Sequence, residues 1–503
     1  MEANIPTAPP EPVREPMRPW VKALLLIVSL IVVAVLGLRM EDLRAQKELA
    51  AYRAHLVASG EKLDLVAHIP TLPPASSNGA ASFMVAPQFT RLPFWLVLQY
   101  PVAPGRACVA WQREKQVNAE TNIWPMMTAH LVTNRAAVAA IRAALEYPEL
   151  LFNPDYGKGF EARLPHLERI RESAWQLAHA AVTTMQARDK QGALDHLLTG
   201  VRLTGRFREP IHISQLIRTS YSRELLKATW ELLQAPDWSD EQLAALQGAW
   251  QEWKLLDDWL AAAQVERTTF SAAFARCRAE PALLVGDCLC SGEPSWDCRQ
   301  VKAQRFASAH VWKLGFSHRD ELWSLRQHQR HVEHLRGIAA TDNGLPHGKE
   351  FDLPPMPSGS RVHVLSGMQS PGFGSSVLKL ATFETARRIT TTAVALHRHR
   401  QRHKEFPASL AELVPDFLSE APHDFMDGQP LRYRRTAEGQ FWLWSVGSDS
   451  KDDGGDPTSL AGKPVNWLFG RDWVWPQAAT QAEVDAYHAA RAAERAAQLT
   501  SNR

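Results

Sequence analysis

The sequence lacks an excess of either charge: 56 Lys and Arg stand against 54 Asp and Glu in 503 residues. Nucleic-acid binders carry a clustered basic surplus, so that class is excluded. There is no phosphate-binding Gly-x-x-x-x-Gly-Lys-Ser/Thr loop, no Gly-x-Gly-x-x-Gly following a strand pattern, and no Gly-x-Ser-x-Gly elbow. Nucleotide binding and hydrolysis of the familiar motif-bearing kinds are therefore not written in the chain. No His-Glu-x-x-His pair occurs, and no 34-residue repeat marks a tetratricopeptide array. Cysteines are few, at five. Trp (18) and Pro (33) are plentiful, and 45% of the residues are hydrophobic, which favours a folded chain with sizeable cores.

The N-terminus sets the class. Residues 1–19 are rich in Pro and Glu and read as a disordered cytoplasmic tail. From Trp20 to Leu38 the chain reads WVKALLLIVSLIVVAVLGL, without a charge after Lys22. About twenty apolar residues cross a hydrocarbon core, and Trp20 and Lys22 suit its interface. No small-x-small cleavage site follows, so the segment is expected to act as an uncleaved signal anchor. Arg14, Arg18 and Lys22 before it nearly balance Arg39, Arg44, Lys47 and Arg53 after it. The usual direction of a signal anchor places the soluble domain outside the cytoplasm, in the periplasm if the membrane is a bacterial inner membrane.

Beyond the anchor, residues 39–341 are expected to be mainly helical. Leu167, Ile170, Ala174, Leu177 and Ala181 recur at helical spacing and form one apolar face. Leu194, Leu197, Leu198 and Val201 give a second helix, and Leu216, Ile217, Leu225, Ala228 and Leu232 a third. Ser239 with Gln242 is a capping-box start for a fourth. Short loops between such stripes predict an antiparallel helical array. Residues 292–336 read as mixed and polar. Residues 342–374 are rich in Pro and Gly and mark a linker. Residues 375–478 are expected to form a small α+β domain, a helix followed by a short antiparallel sheet, and 479–503 a helical tail. The fold class is thus mainly α with a small α+β C-terminal domain.

That C-terminal stretch carries the most specific pattern. Phe406-Pro407 follows a helix; Pro422, Asp424, Phe425, Gly428 and Tyr433 lead into a strand. Phe441 to Val446 then alternates into Gly447-Ser448-Asp449 and the run Asp452-Asp453-Gly454-Gly455-Asp456. It resembles the globular domain of the major pseudopilin of type II secretion, over about a fifth of the chain. The resemblance implies calcium in the acidic loop, with Ser448, Asp449, Asp452, Asp453 and Asp456 as ligands, and partners among envelope or secretion proteins. Ca²⁺ takes six to eight oxygens, so loop carbonyls would join these side chains. The LPHLERIRESAWQLAHAA helix, the ISQLIR segment and the closing Asp-Trp-Val-Trp-Pro resemble a family of membrane-anchored proteins of planctomycetes and verrucomicrobia. That likeness brings an architecture and no activity.

Four of the cysteines, Cys277, Cys288, Cys290 and Cys298, lie within 22 residues. In an oxidising compartment they read as two disulfides of open connectivity; a four-thiolate zinc site is the rival, and Cys108 is left over. His328, His331 and His334, and His397, His399 and His403, have spacings that share a helix face. Lying among Arg and Gln without a full signature, they read as exposed. Glu266-Arg267 reads as a surface or interhelical ion pair. The functional expectation is a binding or scaffold role at the envelope, with no catalytic residue. The rival is an envelope hydrolase whose site is assembled from residues distant in sequence.

Overall fold

A computed structural model of the protein describes residues 18–90, 124–284, 296–341, 344, 364–368, 372–437, 439–458, 470–477 and scattered positions from 482 to 493. The expected class holds: the described chain is mainly helical, with one three-stranded antiparallel sheet near its C-terminal end and a long apolar helix at its start. It divides into two compact units. One comprises residues 1–61, 273–324 and 357–368; the other comprises 62–272, 325–356 and 369–503.

The first unit is organised on α1 (Pro19–Ala58), an unbroken helix of 40 residues. Proline at its first position suits a helix start, where the amide would be unpaired in any case. Its apolar half is wholly exposed, from Leu24 to Leu36, and is long and apolar enough to cross a membrane. From there the same helix changes character. Asp42, Ala45, Leu49 and Leu56 recur on one face and are buried. Asp42 accepts from Nδ1 of His318 at 3.0 Å, and Arg319 reaches Glu41 at 2.6 Å. Glu321 is held by both Arg53 and Arg278. Helix α10 (Trp296–Gly315) runs against α1, and Gly315 permits the contact: a Cβ there would sit 2.8 Å from Leu38. Asp320 closes the unit, its carboxylate accepting from the amides of Val364, Leu365 and Ser366 and from the Trp312 indole.

The second unit holds α2 (Ala80–Val85), α3 (Trp124–Thr133), α4 (Arg135–Ala144), α5 (Pro165–Gln186), α6 (Lys190–Arg206), α7 (His212–Leu233) and α8 (Asp240–Gln251). It also takes most of α9 (Leu255–Ala279) and α11 (Ser317–Thr341), all of α12 (Gly372–His403), and the sheet. The five apolar residues expected to line α5 are all buried. Helix α6 starts at Asp189, whose side chain accepts from the Gly192 amide at 2.9 Å. The expected capping box opens α8: Ser239 and Gln242 exchange side chain-to-backbone bonds of 3.2 and 3.1 Å. Helices α5, α6 and α7 pack together as neighbours. Arg218, fully buried, locks this layer. It donates to Asp258 of α9 and to the carbonyls of Thr204 and Gly205 at the end of α6.

The segments on either side of the expected linker share one hydrophobic core. Helix α12 packs on α7 and α8, with Arg398 bonded to Asp240 and Gln247, and Phe383 against Trp253. Strands β1 (Arg432–Arg435), β2 (Phe441–Ser445) and β3 (Trp473–Val474) pair in that order, with Tyr433 opposite Leu443 and Trp444 opposite Val474. Trp230 of α7 donates to Pro476 O at 2.6 Å, and Gln247 of α8 to Phe417 O at 2.6 Å. The linker and the 479–503 tail lie mostly outside the described residues, and the described positions of the tail are helical. The stretch read as mixed and polar is helical, in α10 and α11. Leu322, Leu325, Val332 and Leu335 are buried with polar neighbours between them while Phe306, Val311 and Leu314 are exposed, which masks the periodicity.

Candidate functional site

The acidic C-terminal loop is organised by its own hydrogen bonds. Asp449 accepts from the Lys451 amide at 3.1 Å, and Asp452 from the Gly454 amide and the Trp444 indole at 3.0 Å each. Asp456 binds the amide and hydroxyl of Thr458, both at 2.9 Å. Ser448 and Asp453 are exposed. Two further carboxylates outside the expected set shape the region. Asp472 accepts from Gly455 N at 2.7 Å and Asp456 N at 3.2 Å, folding the glycine pair back. Asp424 is fully buried and takes four donors: Met426 N, Ser445 Oγ, Val446 N and Arg432. It pins the turn before β1 to the end of β2. Among the described residues no group of three or more His, Cys, Asp or Glu side chains is placed to hold a metal ion.

Of the cysteines, Cys277 is buried in α9 beside Phe274 and Trp312. Cys108, Cys288 and Cys290 lie outside the described residues, as does the side chain of Cys298.

The histidines differ from expectation. His328 and His331 are buried, His334 and His397 half-buried, and His399 is buried with its Nδ1 3.0 Å from Glu405 O; only His403 is exposed. Packing turns these helix faces inward despite their polar sequence. His397 meets Phe406 and Phe441 edge-on, and burial pushes its imidazole down to about 4. Glu266 and Arg267 do not pair with one another either. Arg267 is buried and donates to Gln329 and to Lys62 O, while Glu266 turns to His212.

That last contact belongs to a cluster drawn from four helices of the second unit. Ile211, in extended conformation, caps α7 and leaves His212 as its first residue. Nε2 of His212 lies 2.7 Å from Oγ of Ser376, near the start of α12. Nδ1 lies 3.4 Å from Oε2 of Glu266 on α9. Trp259, two turns before Glu266 on the same face, meets the imidazole edge to face with centroids 5.3 Å apart. His331 of α11 is close enough for His212, His328 and His334 to disfavour its charge, beyond the effect of burial. Burial pushes Glu266 up to about 7. Burial, aided by the Lys379 ammonium, pushes His212 down to about 4. At neutral pH His212 is a neutral base between a hydroxyl and a carboxyl group. Ser376 is 3% exposed, but Gly374 and Ser375 before it are exposed, and His212 and Glu266 keep 16% and 20% of their side-chain surface. The cluster is therefore buried for the most part, with its histidine and glutamate reaching the edge of the second unit.

Sequence reasoning touched this cluster only at Glu266 and the α11 histidines and gave them other roles. Ser376 and His212 are 164 residues apart and neither sits in a motif. No protein-family model, curated protein or solved structure matches the chain.

Proposed function

We propose that the chain is a single-pass membrane-tethered envelope protein whose soluble region is displayed on the extracytoplasmic side in a binding or scaffold role. The observation that carries the reading is the division of labour within α1. Its first half exposes an apolar surface from Leu24 to Leu36, and its second half is fixed by Asp42, Leu49, Leu56 and the Arg53–Glu321 ion pair. Water would have to solvate that apolar half at roughly 25 cal/mol for every Å² of surface, a cost that lipid removes. The absence of a turn between the two halves makes the helix a stalk as well as an anchor. The core shared by the helical array and the C-terminal sheet makes one framework of the second unit, as a scaffold for envelope partners requires.

Alkaline carbonate extraction of membranes from cells making the full chain tests this. The protein is expected in the pellet, and a form lacking residues 1–38 in the supernatant. Protease added to spheroplasts is expected to degrade the soluble region. Full-length protein in the carbonate supernatant, or a soluble region protected until the membrane is broken, would overturn the proposal.

A further inference from the structure

We infer that Ser376, His212 and Glu266 form an acyl-transfer site in which Ser376 is the nucleophile, His212 the general base and Glu266 the positioning residue, acting on carboxylic esters. The inference goes beyond a scaffold role and rests on the geometry of this one cluster. A serine hydroxyl is a weak nucleophile until a base takes its proton, and the diagnostic arrangement is a hydroxyl in hydrogen-bond reach of a base that a third group orients. The Ser376 Oγ to His212 Nε2 distance of 2.7 Å meets the first condition. Glu266 Oε2 lies 3.4 Å from the opposite ring nitrogen, within ion-pair range but without a hydrogen bond to Nδ1, so the orienting contact would tighten only when a substrate is bound. With the imidazole proton on Nδ1, Nε2 presents its lone pair to the hydroxyl.

The surroundings suit the chemistry. Trp259 walls the imidazole on one side and limits its rotation. Ser376 lies in the second turn of a 32-residue helix. The first four amides of a helix have no partner within it, and its N-terminus carries about half a positive charge. Negative charge developing on the carbonyl oxygen of a bound ester would be met there, as in oxyanion sites generally. Gly374 and Ser375, the two residues before it, are exposed, so a substrate would approach the hydroxyl from that side.

The steps balance without a cofactor. The Ser376 proton passes to Nε2 of His212 as Oγ bonds to the carbonyl carbon, and the carbonyl π pair moves onto oxygen. Collapse of that adduct breaks the bond to the alkoxy group, which takes the proton from His212 and leaves as an alcohol. Water then attacks the acyl-serine. His212 accepts the water's proton and returns it to Oγ as the carboxylic acid departs. The charged and titratable groups facing the site are Glu266 from α9, Lys379 from α12, and His331, with His328 and His334 behind it, from α11. Since the positioning carboxyl is held up at about 7, the rate is expected to rise with pH through that region as it ionises.

The test uses the full chain in detergent micelles, with a fluorophosphonate and p-nitrophenyl acetate as probes. The fluorophosphonate forms an Oγ–phosphorus bond and expels fluoride only at an activated serine. Mass mapping of the labelled wild type is expected to find the adduct on Ser376. Ser376→Ala and His212→Gln are each expected to lower p-nitrophenyl acetate turnover by roughly 100-fold or more, the scale of lost general-base catalysis. Glu266→Gln is expected to reduce the rate and abolish the rise near pH 7. A purely structural hydrogen bond would change melting temperature in these variants and leave no label in the wild type. An unlabelled wild type, a label on another residue, or turnover no faster than that of Ser376→Ala overturns the inference. The mapping needs no variant to fold.

Discussion

The guanidinium of Arg218 meets the carboxylate of Asp258 at 2.7 Å where neither side chain has appreciable contact with solvent. A second arginine, Arg208, approaches the other oxygen of the same carboxylate at 2.8 Å, but nearly half of its side chain is exposed. One anion thus serves two cations in different surroundings, and the two pairs are expected to differ in energy.

Asp258→Ala would strand Arg218 as a buried charge, and such losses cost about 3–5 kcal/mol. Arg208→Ala removes a solvent-screened partner and is expected to cost no more than about 1 kcal/mol. Chemical denaturation of the two variants checks the contrast; equal effects would show that Arg218 finds another anion.

The stability of the protein is expected to fall in acid partly through Glu384. This residue is buried on α12, and burial alone would raise its pKa. Arg387 and Arg388, bonded to it at 2.7 to 2.8 Å, overcome that and hold it at about 2, against an ordinary value of 4.5. A carboxyl group whose folded-state pKa is depressed contributes its full stabilisation above the unfolded value and loses it as pH falls toward the folded one. The window is therefore about pH 4.5 down to 2, and the contribution is on the order of 3 kcal/mol. Melting temperature measured across that range should fall less steeply in Glu384→Gln than in the native chain.

The acidic loop gives a third prediction. Asp449, Asp452 and Asp456 each spend oxygens on amides or side chains of the loop itself, and Asp452 also lies 3.6 Å from Arg432. A calcium site needs six to eight converging oxygens. Melting of the full chain is therefore expected to be unchanged by millimolar Ca²⁺. A ligand bound only by the native state must stabilise it, so a rise in melting temperature would show that the loop reorganises around the ion.

The features of this fold that were legible in the sequence are those where one local rule dominates. The apolar run after Trp20, the stripe from Leu167 to Ala181, the Ser239–Gln242 box and the alternation from Phe441 to Val446 each depend on neighbours within a few turns or residues. Helix α11 escaped because Gln327, His328 and His331 are buried by tertiary packing, which overrides the rule that polar faces are exposed. The shared core escaped because a Pro/Gly-rich stretch reports a break in secondary structure and says nothing of where the next helix docks. The cluster at His212 was invisible for a related reason. Its members come from residues 212, 266 and 376, and only the packing of α7, α9 and α12 makes them neighbours.

The unbroken course of α1 has a mechanical consequence. At 1.5 Å per residue, 40 residues make a rod of roughly 60 Å, with no proline after its first residue and its lower half gripped by Asp42, Leu49 and Arg53. A rod of that kind transmits angle. In the membrane tether proposed above, a bilayer that made the apolar half lean would make the gripped half lean equally and take the first unit with it. Bilayer thickness would then become, through one helix, a setting for the pose of the first unit.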